Sequence, residues 1–104
     1  RICSQLRARC RDRAVMITEA EAPVPGGDPA ENALRCRRLA FYEHCGFRPV
    51  YEIGACGARF QALVLGTPPE GRAELAAAHR AIYGPERTDV KVPLGPEECP
   101  PPHR

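Results

Sequence analysis

The sequence has no strong excess of charge of either sign, no long apolar run and no regular metal-ligand spacing, and each lack closes off a class of function. Fifteen Lys and Arg residues stand against 13 Asp and Glu. A dedicated nucleic-acid binder usually shows a strongly basic domain, so no nucleic-acid partner is expected. The longest apolar stretches fall far short of the roughly 18 residues that a membrane-crossing helix needs, and nothing resembles a secretory signal. No membrane partner is expected, and the localisation implied is cytoplasmic. Structural zinc sites usually carry CxxC or HxxxH spacing, and neither occurs. His44, Cys45, Cys36 and Cys56 are therefore not expected to hold a metal. Internal repeats are absent too.

What remains is enough for one domain, since 104 residues leave room for no more. The chain opens on Arg1 rather than Met, so it is expected to be a piece of a longer or processed protein. Six cysteines could suggest a disulfide framework, but no export signal accompanies them and cytosolic thiols stay reduced. Most are expected to be small buried hydrophobes.

Periodicity divides the chain into alternating elements. Ile2, Leu6 and Cys10 recur at i, i+4 and i+8, which predicts a helix to about Arg13. Val15 to Glu21 reads as a strand, ended by Pro23, Pro25, Gly26 and Gly27. Asp28 then suits a helix cap, Pro29 the first helical position and Glu31 the third residue of a capping box. That helix should run to Cys45, with Gly46 ending it and with Leu34, Phe41 and Cys45 on one face. Phe47 to Ile53 alternates as a strand, with Phe47, Tyr51 and Ile53 on one side. Pro49 lacks a donor and places that strand at an edge. Phe60 to Leu65 ends apolar on both faces, as a central strand does. A last helix spans about Arg72 to Tyr83, with Leu75, His79 and Ile82 on one face. Six of the twelve prolines lie from Pro85 to Pro102, so residues 85–104 are expected to form a disordered tail. The fold class is α/β, a small mixed sheet flanked by helices.

The stretch Arg37-Arg38-Leu39-Ala40-Phe41-Tyr42-Glu43-His44-Cys45-Gly46-Phe47 resembles the signature of GNAT-type N-acetyltransferases, in which a helix ends in Phe-Tyr and Gly-Phe opens a strand. Ile17 to Pro23 is similar to the fifth strand of one subgroup, an apolar run into Glu-x-Glu and then Pro. The resemblance covers residues 1–84 and implies the carboxy-terminal half of the fold. It implies a three-stranded sheet in the order first, third, second, with Phe60–Leu65 antiparallel between its neighbours. The Val15–Glu21 strand would then keep an open edge, a possible route to self-association.

The same resemblance implies a function: acetyl transfer from acetyl-CoA, as co-substrate, to an amine-bearing small molecule or peptide. Tyr42 matches the family tyrosine that returns a proton to the departing thiolate; otherwise it is an ordinary tyrosine at the core's edge. Cys3 and Ser4 fall at the end of the family's glycine-rich phosphate loop, Gln or Arg-x-x-Gly-x-Gly or Ala, which holds pyrophosphate at a helix N-terminus. Arg1 and Cys3 stand where that loop has Gly and Gly or Ala, so the cofactor site is incomplete here. Arg38, like Arg35, can approach CoA phosphates or simply face solvent. Glu19 and Glu21 are expected to project to the same side of their strand, so either is a candidate base or a site for a cationic substrate; otherwise they are two solvated or ion-paired carboxylates. The alternative from a different class is a non-catalytic interaction or structural module derived from the same fold.

Overall fold

The computed structural model describes residues 4–10, 13–66 and 71–101. Among these described residues five strands and two helices follow in the order β1 (Ser4–Cys10), β2 (Arg13–Glu21), α1 (Pro29–His44), β3 (Phe47–Ala55), β4 (Ala58–Leu65), α2 (Arg72–Tyr83) and β5 (Val90–Leu94). The strands form one sheet in the order β1-β2-β4-β3-β5, and every neighbouring pair is antiparallel. The three-strand centre agrees with the expected order: β4 separates β2 from β3, which run in the same direction. The sheet itself differs from the expected mixed three-stranded one: it is antiparallel throughout, and a strand is added at each edge.

At one edge, β1 replaces the expected opening helix. The i, i+4, i+8 spacing of Ile2, Leu6 and Cys10 also satisfies a period of two. Leu6, Ala8 and Cys10 alternate with Gln5, Arg7 and Arg9, which is a strand pattern. β1 pairs along β2 from Ser4 opposite Glu19 to Cys10 opposite Arg13. The β2 edge expected to be open is therefore covered.

At the other edge, the tail expected to be disordered contributes β5. Glu52, Gly54 and Ala55 of β3 lie opposite Leu94, Lys91 and Val90. Val90 and Leu94 are buried, which stabilises the docked strand. The chain beyond stays close: Gly57 N–H donates to the Pro101 carbonyl at 2.8 Å, and the Arg59 guanidinium reaches the Gly95 carbonyl at 3.2 Å. Pro49 still obeys its edge rule locally, since β5 pairs only with the later half of β3.

A bulge reverses the faces of β3. Pro49 lies opposite Leu63 and Tyr51 opposite Ala62, so Val50 is an extra residue between them. Before the bulge, Phe47 joins Ala20 and Leu63 in a small cluster under Leu39 and Tyr42 of α1. After it, Ile53 and Ala55 join Val15, Ile17, Phe60, Ala62, Val64 and Val90 in the main core, against Leu75 of α2. The expected grouping of Phe47 with Tyr51 and Ile53 fails for this reason. One helix covers each face of the sheet.

Asp28 caps α1 as its position suggested, its side chain accepting from Glu31 N–H at 2.9 Å, and Gly46 ends the helix at φ 100°. The helix is rotated from the expected orientation. Asn32, Arg35, Leu39 and Tyr42 form its half-buried face, while Leu34, Phe41 and Cys45 are exposed. Two polar anchors favour this rotation. Asn32 exchanges two hydrogen bonds with the Val24 backbone, at 2.9 and 2.7 Å. Arg35 Nε donates to Glu21 Oε2 at 3.1 Å. In α2, Leu75, Ala76 and His79 are buried, whereas Ile82 is 40% exposed and the half-buried Tyr83 packs against the core instead.

Candidate functional site

Tyr42 sits in the last turns of α1, half-buried over the sheet. Its ring meets Phe41 and Phe47 edge-on, each at 5.6 Å between centroids and with interplanar angles of 73° and 82°. Aromatic pairs favour this geometry because a positive ring edge meets a negative face. It fixes the phenol at the junction between α1 and β3. Beside that junction a cavity of about 430 Å³ is lined by Glu43, Gly46, Phe47, Arg48 and Pro49. A second cavity, of about 320 Å³, lies below the first half of α1, with Glu21, Arg35 and Arg59 among its walls.

The other sequence-predicted residues are not gathered there. Cys3 lies outside the described residues. Ser4 begins β1 opposite Glu19, so the helix N-terminus on which its phosphate role rested is a strand instead. Arg38 is exposed on α1, away from the sheet-facing side. Arg35 is committed to Glu21 and, at 3.6 Å, to Glu31.

Glu19 and Glu21 part company. Glu21 reaches Arg35 on α1. Glu19 is fully buried against α2, where its Oε2 lies 2.7 Å from His79 Nε2 and accepts from the Tyr83 hydroxyl. His79 Nδ1 in turn lies 2.9 Å from the Tyr51 hydroxyl. Tyr51, His79, Glu19 and Tyr83 thus form one hydrogen-bonded chain across β3, α2 and β2. Both ring nitrogens of His79 have partners, and the carboxyl of Glu19 has two donors or shared protons around it. Such a network satisfies groups that would otherwise be costly to bury.

Sequence reasoning missed this chain, although a signal was present. Glu19 continues the buried alternation of Val15 and Ile17, and His79 lies four residues after Leu75. A polar residue at the end of each buried stripe requires a partner, and the two stripes face one another.

A third polar group adjoins it. Arg87 Nε and Nη2 hold the two Asp89 oxygens at 2.8 and 3.1 Å, and the Arg87 guanidinium lies 5.4 Å from the Tyr83 ring centroid. Cys56 Sγ donates to Asp89 Oδ2 at 3.1 Å. The Arg87 hydrogen bond, aided by the Cys56 thiol, holds the Asp89 carboxyl well below the usual carboxylate range. Asp89 in turn raises the Arg87 guanidinium above its already high value.

The expectation of buried cysteines fails for those described in full: Cys36, Cys45, Cys56 and Cys99 are exposed. Among the described residues no three His, Cys, Asp or Glu side chains are grouped to hold a metal. No helix among them is long and apolar enough to cross a membrane. No family model, curated protein or solved structure matches the chain.

Proposed function

We propose that this chain is the carboxy-terminal half of an acetyl-CoA-dependent N-acetyltransferase. The observation that supports this reading is topological. β4 is inserted antiparallel between two strands of like direction, β2 and β3, and the Phe41-Tyr42 to Gly46-Phe47 stretch forms the turn into β3. The resemblance in sequence implies that arrangement, and the strand order agrees with it.

In the proposed reaction the amine nitrogen attacks the thioester carbonyl, the carbon–sulfur bond breaks, and the thiolate takes a proton from Tyr42. A phenol has a pKa near 10 and a thiol near 8.5, so that transfer is uphill by about 2 kcal/mol in water. The edge-on packing of Tyr42 between Phe41 and Phe47 helps by fixing the donor. The base that receives the amine's proton is better sought at Glu21 than at Glu19. Glu19 is buried on the α2 side of the sheet, whereas Glu21 lies by α1 and lines a cavity. Arg38 and Arg48 are among the guanidiniums available to CoA phosphates.

One observation favours the alternative, a non-catalytic interaction module. By the resemblance, the pantetheine arm passes along the edge of β2, and here β1 pairs with that edge. Acetyl-CoA binding by this chain would require β1 to leave. The two readings separate on calorimetric titration of acetyl-CoA into two forms. The chain as it stands should bind weakly or not at all. A form extended upstream by a complete glycine-rich loop should bind. If the extended form fails to bind, the acetyltransferase reading is lost and the interaction module stands.

A further inference from the structure

α1 is a 16-residue helix with no buried residue, and two of its large apolar side chains, Leu34 and Phe41, point away from the sheet. Leu34 is 40% and Phe41 61% exposed. At 3.6 residues per turn, Ala30, Leu34, Phe41 and Cys45 form a narrow seam along the outer surface. Arg37 flanks the seam on one side and Arg38 on the other.

These two guanidiniums differ from most others in the fold. Arg35, Arg59, Arg80 and Arg87 are each held by carboxylates or carbonyls. Among the described residues Arg37 and Arg38 have no such partner, and neither does Arg48 just beyond the helix. An apolar seam bordered by unpaired charge of one sign calls for a complementary surface.

We propose that the outer face of α1 docks an acidic amphipathic helix, whose apolar side chains cover Leu34 and Phe41 and whose carboxylates pair with Arg37 and Arg38. Charge distinguishes this occupant from a second copy of the chain. Laying α1 against its own copy across a two-fold axis would bring Arg37 and Arg38 against the same residues. The width of the seam disfavours a bilayer: a helix that lies in a membrane surface presents a broad apolar face, and the seam here is narrow.

The test uses the intact chain and a fluorescein-labelled helical peptide of about 18 residues, roughly five turns. It carries leucines at helical spacing with glutamates on both flanks. A counterpart has lysine at every glutamate. The acidic peptide should bind at least about tenfold more tightly than the lysine counterpart, with affinity falling as salt rises. Phe41→Ser should weaken binding by about tenfold or more while leaving the circular dichroism spectrum unchanged, because the ring is exposed. Arg37→Glu with Arg38→Glu should reverse the preference between the two peptides. Equal binding of both peptides would overturn the proposal. So would Phe41-dependent binding to phosphatidylserine vesicles without binding to the acidic peptide, or sedimentation showing a dimer that Phe41→Ser dissolves.

Discussion

Replacing His79 by alanine tests the buried polar chain, and its cost follows from what the ring touches. The imidazole is wholly buried and bonded at both nitrogens, to Glu19 at 2.7 Å and to Tyr51 at 2.9 Å. Its removal leaves a cavity and takes a partner from a buried carboxyl group. Tyr83 still donates to that carboxyl, which limits the penalty. A cavity plus a partly satisfied polar group amounts to roughly 3–5 kcal/mol. A domain of this size has only about 5–15 kcal/mol in total, so the variant should retain a small margin or none. At about 4–8 °C per kcal/mol, the midpoint should fall by at least about 12 °C. Urea unfolding followed by circular dichroism measures the change directly. His79→Gln, Glu19→Gln and the double variant complete a cycle, for which a coupling above about 1 kcal/mol is expected. Additivity within about 0.5 kcal/mol would show that the two side chains act independently, and the chain of bonds would lose its structural role.

Three further outcomes follow from separate parts of the fold. A Cβ on Gly54 would lie 2.9 Å from Pro101 Cδ and 3.1 Å from Pro100 Cα, so Gly54→Ala should cost about 1–3 kcal/mol. It should also speed proteolytic cleavage after residue 95; an unchanged cleavage rate would mean that the tail does not rest on β3. Titration of the native protein with a thiol reagent should find at least the four exposed cysteines reacting without denaturant, and protection of those four would contradict their exposure. Because the folded-state value of Asp89 is lowered, its contribution is complete above the unfolded carboxyl value, about 3.9, and is lost as pH falls further. Asp89→Asn should therefore lower the melting temperature at pH 7 and flatten its fall below pH 4, while an unchanged acid slope would remove Asp89 from the pH response.

The central three strands were legible because their signals are local. The apolar run of β4 marks a central strand, and Asp28, Pro29 and Gly46 mark the ends of α1. The misread features depend on contacts between elements or on a pattern that fits two structures. The rotation of α1 is tied to Asn32 on the Val24 backbone and Arg35 on Glu21, which outweigh the more apolar stripe of Leu34 and Phe41. The opening strand was hidden by a spacing of four, which fits both helix and strand. β5 lay hidden among prolines because its partner, β3, is more than 30 residues away and its own pattern is short. At the candidate site, Tyr42 enters only through the resemblance of its motif. The Glu19–His79 contact spans 60 residues, and nothing local in the sequence pairs the two.

The most direct test of the proposed function is turnover in the form extended upstream, with acetylated amine detected by mass spectrometry. Acetyl-CoA-dependent product is expected, and in a Tyr42→Phe variant kcat should fall by about 10²–10⁴-fold with acetyl-CoA affinity little changed, since only the donor hydroxyl is removed. Turnover equal to that of the unmodified protein would reduce Tyr42 to a packing residue. Absence of both product and acetyl-CoA binding in the extended form would contradict the acetyltransferase assignment itself.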